Sequence, residues 1–209
     1  MTILEGKYIT AKCAPVDPGI VPQEWKQAFP DYCDLLNQAN GFHLIGGIFR
    51  IFGVGPSALG RDAVEWNNSE WRKAFSVPQH VVFLGENIFG DQYGIDTRAR
   101  KLLLMLCEGG DFEETPFHTI SELVDDIMVN KSIQGLDMDL LRTASGNGLK
   151  PGSAAHLSFS VPLICGGSAD GSNLEVLDAK AHLEILGQLL GQTRKAPPGT
   201  PIRGFNSES

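Results

Sequence analysis

Apolar residues recur at helical spacing most regularly between positions 120 and 130. Side chains three or four residues apart, from Ile120 to Met128, repeat along one face of a helix, and acidic residues follow its start, where the helix dipole favours negative charge. Thr119 or Ser121 can cap this helix. The pattern predicts a helix from about Ile120 to Asn130.

Shorter helical patterns occur on both sides of this segment. A helical turn is expected after Pro22, followed by a helix that begins near Pro30, because proline is tolerated in the first turn of a helix. The Asn40-Gly41 pair supplies a left-handed residue that ends this second helix. Further helical segments are predicted within residues 59–75, within residues 136–153 and across residues 174–192.

Short apolar runs separated by glycine, asparagine and aspartate predict strands. The runs on either side of Gly46-Gly47 predict one hairpin, and Val81–Leu84 with Gln92–Ile95 predict the arms of another. Residues 101–106 predict a further strand, and residues 155–167 contain one with partial alternation. The Pro-rich tail, residues 193–209, is expected to lie on the surface or to fray.

The second hairpin includes an unusual mixture of acids, amides and glycines over residues 83–96. A calcium loop starting at Asp91 would need a glutamate at its twelfth position, where the chain has Leu102. Glu86 and Asp91 could face each other as a carboxylate pair, but no other catalytic group is close in sequence. A turn shaped by Gly90 and Asp91 explains more of the pattern, and it predicts that Gly90→Val destabilises the fold without removing a chemical step.

Composition and charge narrow the classes of protein that fit. The 209 residues include 42% hydrophobic and 20% charged side chains, so the chain can bury a core. Its formal charge of -8 disfavours attraction to nucleic acid phosphates and favours a basic partner. Glu5 and Lys7 interrupt the N-terminal apolar residues, and no apolar run approaches a membrane span, so we expect a cytoplasmic protein.

No residue pattern predicts catalysis, a metal or a cofactor. The five histidines and four cysteines show none of the paired spacings of metal or redox sites. Gly53 and Gly55 match a loose dinucleotide-binding pattern, but Pro56 interrupts the loop and no βαβ unit follows. The glycine-rich residues 165–175 could form an anion nest, although a flexible loop explains them better. At least two of the three tryptophans are expected in the core: Trp25, Trp66 and Trp71.

Taken in order, several short motifs resemble the SUKH superfamily, the bacterial immunity proteins related to fungal cell-wall synthesis regulators. The resemblance covers about Val21 to Met128. Its most specific motif residues are Asn40, Gly41, Trp71, Phe89, Gly90, Asp91, Tyr93 and Asp96. The C-terminal part, in residues 140–167 and 182–192, is similar to the closing segment of immunity proteins that accompany type VI secretion toxins.

The resemblance implies an α+β fold with a central, largely antiparallel sheet and helices packed on it. It implies a single domain over residues 1–209, with a core of about 21–128 and a C-terminal α/β extension over about 129–209. It also implies a protein without catalytic residues or cofactors, which binds and neutralises a cognate toxin such as a secreted nuclease. Neither a nucleic acid nor a membrane is expected as a partner.

Acidic side chains are the candidates for the toxin-binding surface, because a basic toxin would be attracted to them. They are Asp111, Glu113, Glu114, Asp125 and Asp126. The second hypothesis is a non-enzymatic interaction module that regulates a cell-wall or signalling enzyme, and the third is a nucleotide-dependent enzyme that uses Gly53 and Gly55. No long heptad or exposed apolar stripe predicts an oligomeric state.

Overall fold

The computed structural model describes residues 8–194 and residue 197. Its main feature is an antiparallel sheet of seven strands, in which each strand pairs with the next one along the chain. The strands are β1 (Ile9–Lys12), β2 (Phe42–Leu44), β3 (Phe49–Ile51), β4 (Val81–Asn87), β5 (Gln92–Asp96), β6 (Lys101–Leu106) and β7 (Asp111–Glu114). A separate two-stranded sheet consists of β8 (Ala155–Phe159) and β9 (Leu174–Asp178).

Both predicted hairpins are present. β2 pairs with β3 around a 3₁₀ turn, where Gly46 and Gly47 take the left-handed backbone angles that glycine adopts without strain. β4 pairs with β5 between Val81 and Asp96 at one end and Glu86 and Gln92 at the other. The strand predicted over residues 101–106 is β6, and it pairs with β5 along its length.

Helices connect and cover the sheet. Those in the described part of the chain are α1 (Gln23–Ala28), α2 (Pro30–Leu36), α3 (Ala63–Asn67), α4 (Trp71–Ala74), α5 (Ile120–Asn130), α6 (Met138–Gly146) and α7 (Ala179–Thr193). The predicted bounds of α5 are confirmed. Thr119 caps it by accepting a hydrogen bond from the Glu122 N–H, while the Glu122 side chain accepts one from the Thr119 N–H.

Two predicted helix boundaries were wrong. α2 ends at Leu36, several residues before Gly41, whose φ of +85° instead turns the chain into β2. Residues 174–178 form strand β9 rather than the first turns of a helix. The carboxylate of Asp178 accepts hydrogen bonds from two backbone N–H groups of the following turn, so the helix begins only after it.

Strand β7 was not predicted at all. Its four residues are exposed and three of them are acidic, so no apolar run marks it. The strand forms because β6 offers it a free edge, on which Phe112 pairs with Met105 and Asp111 with Leu106. Exposed charges on a strand at the edge of a sheet oppose pairing with another chain.

The core lies between the large sheet and the helices. α7 contributes Ala179, Leu183 and Leu186 to the same apolar cluster that contains the sheet and α5. A smaller cluster is made of Ile88, Ala144, Leu157, Phe159 and Leu174. All three tryptophans are buried, with at most 9% of their surface exposed, so the prediction that at least two lie in the core is confirmed.

These elements make the predicted α+β fold, a central antiparallel sheet with helices packed on it. None of the helices described is long and apolar enough to cross a membrane. The prediction for the tail over residues 193–209 lies outside the described residues, apart from positions 193, 194 and 197.

Candidate partner-binding groove

The turn between β4 and β5 is held by the side chain of Asn87. Its amide oxygen accepts hydrogen bonds from the N–H groups of Phe89 and Asp91, at 3.0 and 3.1 Å. Gly90 has a φ of +94°, and a Cβ atom there would lie 2.6 Å from Nδ1 of His156. The motif that the sequence assigns to a hairpin turn is therefore a turn, and it is packed against the C-terminal part of the chain.

Asp91 points from this turn into the interior and is only 7% exposed. One carboxylate oxygen accepts a hydrogen bond from the Cys107 N–H and the other from the Asn87 side-chain amide, each at 2.9 Å. Burial raises the pKa of Asp91. In the described part of the chain, Asp91 forms no ion pair with a lysine or arginine, so its charge is left without a cationic partner.

A groove of about 320 Å³ opens above Asp91. Its walls are mainly apolar and come from the β4–β5 turn, β6, α6, β8 and the segment after β8: Phe89, Leu106, Leu140, Leu157, Phe159 and Leu163. Three further carboxylates line it, from Glu108, Asp111 and Asp137, and no lysine or arginine is among its described lining residues. The groove thus combines an apolar interior with four acidic side chains, counting Asp91.

Each of the three additional acids has a fixed position. Glu108 follows β6 and accepts a hydrogen bond from the Leu163 N–H at 3.1 Å. Asp137 is the N-cap of α6 and accepts from the Leu140 N–H at 3.0 Å. Asp111 begins β7 after the Gly109-Gly110 turn. Arg194 reaches this turn, but its guanidinium donates to the carbonyl oxygens of both glycines, at 3.2 Å each.

Of the five acids predicted to contact a toxin, only Asp111 lines this groove. Glu114 lies on β7 and forms an exposed ion pair with Lys101, while Glu113 of the same strand accepts a hydrogen bond from Gln134. Asp125 and Asp126 lie on α5 and are not among the groove residues. Sequence reasoning missed Glu108 and Asp137, although the position of Asp137 directly before a helical pattern is typical of an N-cap.

Behind the groove lies a second set of buried charges, centred on Glu86. Arg61 donates from Nε to one Glu86 oxygen at 2.8 Å, and its Nη2 lies 2.8 Å from the other. Arg50 donates to Glu86 at 3.2 Å and to the Ala155 carbonyl at 2.7 Å. Burial opposes ionisation, but the Arg61 guanidinium holds the pKa of Glu86 well below its usual range.

Two buried histidines extend this cluster towards the groove. His156 Nε2 lies 3.1 Å from a Glu86 oxygen, and its Nδ1 lies 3.0 Å from Nδ1 of His182. Burial lowers the pKa of His156 to about 4, so the ring is neutral at pH 7. His156 Nε2 also lies 3.3 Å from Arg61 Nη2, which can only donate, so this ring nitrogen contacts a hydrogen-bond donor as well as an acceptor. Nε2 of His182 lies 4.0 Å from Glu108.

The remaining motif residues have structural roles. The side-chain amide of Asn40 makes two hydrogen bonds to the loop after β3. Its oxygen accepts from the Val54 N–H at 2.7 Å, and its nitrogen donates to the Val54 carbonyl at 2.9 Å. Trp71 is fully buried and stacks on Phe83, with ring centroids 5.6 Å apart. Tyr93 is buried and donates its hydroxyl proton to the Gln134 carbonyl. These contacts position the sheet and the loops around the groove.

The glycine pattern that resembles a dinucleotide-binding loop is explained by packing inside the protein. A Cβ atom on Gly53 would lie 2.5 Å from the backbone oxygen of Asn40, and one on Gly55 would lie 2.7 Å from a side-chain carbon of Ile20. The protein itself therefore fills the space in front of both glycines. No group of three or more histidine, cysteine or acidic side chains arranged to hold a metal occurs within residues 8–194.

Comparison with known proteins supports the fold alone. No family model matches the chain, and no curated protein matches it significantly. A solved structure, that of Atu4351 from Agrobacterium tumefaciens, is similar over 84% of this chain and 84% of its own length, with a TM-score of 0.59 and 16% sequence identity. At this identity the likeness establishes a shared architecture, and the resemblance to the SUKH superfamily stays a prediction.

Proposed function

We propose that this chain is a cytoplasmic immunity protein that binds a cognate toxin with a basic surface and neutralises it by covering that surface. The observation that carries the proposal is the groove, where four carboxylates surround an apolar cavity and none forms an ion pair with a lysine or arginine in the described part of the chain. The order of motifs along the sequence and the formal charge of -8 support it.

Uncompensated negative charge at a surface has two consequences for binding. It raises the rate at which a positively charged partner arrives, since the field of the protein steers the encounter. The carboxylates also repel one another in the free protein. A partner's cations therefore gain more binding free energy here than at a surface whose charges are already neutralised. β7 adds Glu113 close to Asp111, which extends the acidic surface along the edge of the sheet, whereas Glu114 is paired with Lys101.

Neutralisation of a toxin requires no chemistry from this chain. A protein that covers a toxin's active site needs a stable interface, which typically buries about 1,200–2,000 Å² in total. The groove supplies an apolar depression, and the acidic residues around it supply electrostatic complementarity. Apolar anchors in a desolvated pocket carry much of the binding energy in such interfaces, whereas charges at the rim set the rate and the specificity.

Co-expression with the toxin encoded by the neighbouring gene tests the proposal. We expect the chain to restore growth of cells that produce the toxin and to elute with it as one complex in size-exclusion chromatography. Association should weaken as salt is raised from 50 to 500 mM, because screening shortens the reach of the charges. If the chain neither forms a complex with this toxin nor restores growth, the proposed function is wrong.

A further inference from the structure

The groove leaves the buried carboxylate of Asp91 accessible from one side. Gly135 lies over it with a φ of +79°, and a Cβ atom at this position would be 3.3 Å from an Asp91 oxygen and 3.0 Å from Leu104. A side chain at Gly135 would therefore crowd the carboxylate, and the glycine lets the segment before α6 approach Asp91 closely. Both hydrogen bonds that Asp91 accepts are to uncharged donors, so its negative charge meets no lysine or arginine among residues 8–194.

The apolar walls restrict the kind of cation that fits this space. A hydrated metal ion requires several oxygen ligands around it, whereas most of the groove wall is hydrocarbon. A long side chain with an apolar stem and a cationic end matches both parts, because its stem can lie against leucine side chains while its end reaches the carboxylates. The volume of about 320 Å³ is at the lower end of the range for ligand sites, which suits one side chain and a flanking residue.

We propose that this groove receives an arginine side chain of the protein partner, with its guanidinium between Asp91 and the carboxylates of Glu108, Asp111 and Asp137. This proposal rests on the proposed function, in which the partner is a basic toxin. Arginine fits better than lysine because its planar group has five N–H donors in a fixed fork, is weakly hydrated and stacks on aromatic rings. Phe89 and Phe159 supply such rings in the groove wall.

The groove can be tested without the partner, by titrating capped amino acids into ¹⁵N-labelled protein. Three of the backbone N–H groups that donate directly to groove carboxylates serve as reporters: those of Cys107, Leu140 and Leu163. We expect acetyl-arginine methylamide to shift these three signals with a Kd of about 1 mM, the affinity of a ligand of this size. Acetyl-citrulline methylamide, of the same shape but uncharged, should bind at least tenfold more weakly.

Three other results would overturn the assignment. If the citrulline compound shifts the same signals with equal affinity, or if shifts are absent from the groove, it is not a site for a cation. If the corresponding lysine compound binds as tightly as the arginine compound, the groove is not specific for arginine.

A triple variant, Glu108→Gln with Asp111→Asn and Asp137→Asn, removes three of the groove charges. Its substitutions preserve the acceptor atoms used by the Leu163 and Leu140 N–H groups, so it should fold like the parent protein. The matched control, Asp34→Asn with Glu65→Gln and Glu70→Gln, changes the net charge equally at exposed positions outside the groove. We expect at least a tenfold loss of arginine-compound binding in the groove variant and less than a twofold change in the control.

The same two variants separate this inference from the proposed function. If the parent protein binds the neighbouring toxin and both variants bind it equally well, the arginine site is wrong while the immunity function stands. If the arginine compound binds the groove but the parent protein does not bind the toxin or restore growth, the immunity function is wrong and the cation site stands. A larger loss of toxin affinity in the groove variant than in the control supports both.

Discussion

Glu86 and Asp91 lie on one hairpin, five positions apart, yet they occupy opposite electrostatic environments. Glu86 is completely buried and is neutralised by the guanidinium groups of Arg50 and Arg61, 3.2 and 2.8 Å away. Asp91 is nearly as buried but is held by uncharged donors, with a groove on its open side. A buried acid with internal cations joins parts of a fold, whereas a buried acid without them, next to a cavity, indicates a place where a partner's cation can bind.

The two environments also differ in what they connect. The cluster around Glu86 joins β3, β4 and the segment before α3 to β8, because Arg50 donates to the Ala155 carbonyl and His156 lies against Glu86. The groove instead opens between the β4–β5 turn, β6 and α6. If this difference is correct, removing charge from the first site should cost stability, and removing it from the second should cost binding.

Removing the charge of Glu86 should have the largest effect on stability. Glu86→Gln leaves two guanidinium groups buried without their anion, so we expect a loss of about 3–5 kcal/mol in the free energy of unfolding, which is typical of a broken buried ion pair. Urea unfolding followed by tryptophan fluorescence measures this loss. A loss below about 1 kcal/mol would mean that the cluster does not hold the two parts of the fold together.

Gly90→Val should have the second largest effect, a loss of about 3 kcal/mol in the free energy of unfolding. Valine would have to adopt a left-handed backbone conformation, and its side chain would meet the His156 ring. Gly46→Val is the matched control: Gly46 also has a positive φ, of +72°, but no atom lies within 4 Å of the Cβ position. The control should lose only the backbone contribution of about 1–2 kcal/mol. Equal losses in the two variants would show that contact with His156 is unimportant.

Stability should also fall as the pH is lowered from 7 to 5. His156 has a pKa of about 4 in the folded protein and about 6.5 when unfolded, so between these values the unfolded chain binds a proton that the folded chain does not. This contributes a loss of about 2 kcal/mol at pH 5 relative to pH 7. His43, whose pKa is also lowered by burial to about 4, acts in the same direction.

His156→Gln isolates the contribution of His156, since glutamine does not titrate but can donate to Glu86. Unfolding free energies of both proteins at half-unit steps from pH 7 to 5 should give a shallower slope for the variant. Equal slopes would contradict a neutral, buried His156.

Local sequence patterns predict much of the scaffold, but they do not predict the groove. The bounds of α5 could be predicted because apolar spacing and a capping residue both lie within its own segment. The β4–β5 hairpin could be predicted too, but β4 continues to Asn87, beyond the predicted arm that ends at Leu84. β7 could not, because its residues are exposed and acidic and it depends on the free edge of β6. The sequence predicts helix where β9 lies, because the leucines of this strand continue the apolar run of α7.

The charged sites depend on contacts between distant parts of the chain. Arg61 and His156, which meet at 3.3 Å beside Glu86, are 95 positions apart, and no spacing rule connects them. In the groove, Asp91 and Asp111 belong to separate sequence patterns, since Asp91 is predicted as a turn residue and Asp111 as a surface acid. Only the packing of α6 and β8 against the large sheet places them in one cavity with Glu108 and Asp137.

The smallest expected change in stability, and the one that tests the comparison most directly, is that of Asp91→Asn. The substitution loses the hydrogen bond from the Asn87 amide, a cost of about 1 kcal/mol, but it also removes a buried charge that no internal cation offsets. We therefore expect the free energy of unfolding at pH 7 to change by less than about 1 kcal/mol, in contrast to Glu86→Gln. Binding of acetyl-arginine methylamide should nevertheless fall at least tenfold. A variant that lost as much stability as Glu86→Gln would show that the Asp91 carboxylate is compensated inside the fold, and the distinction between the two acids would no longer hold.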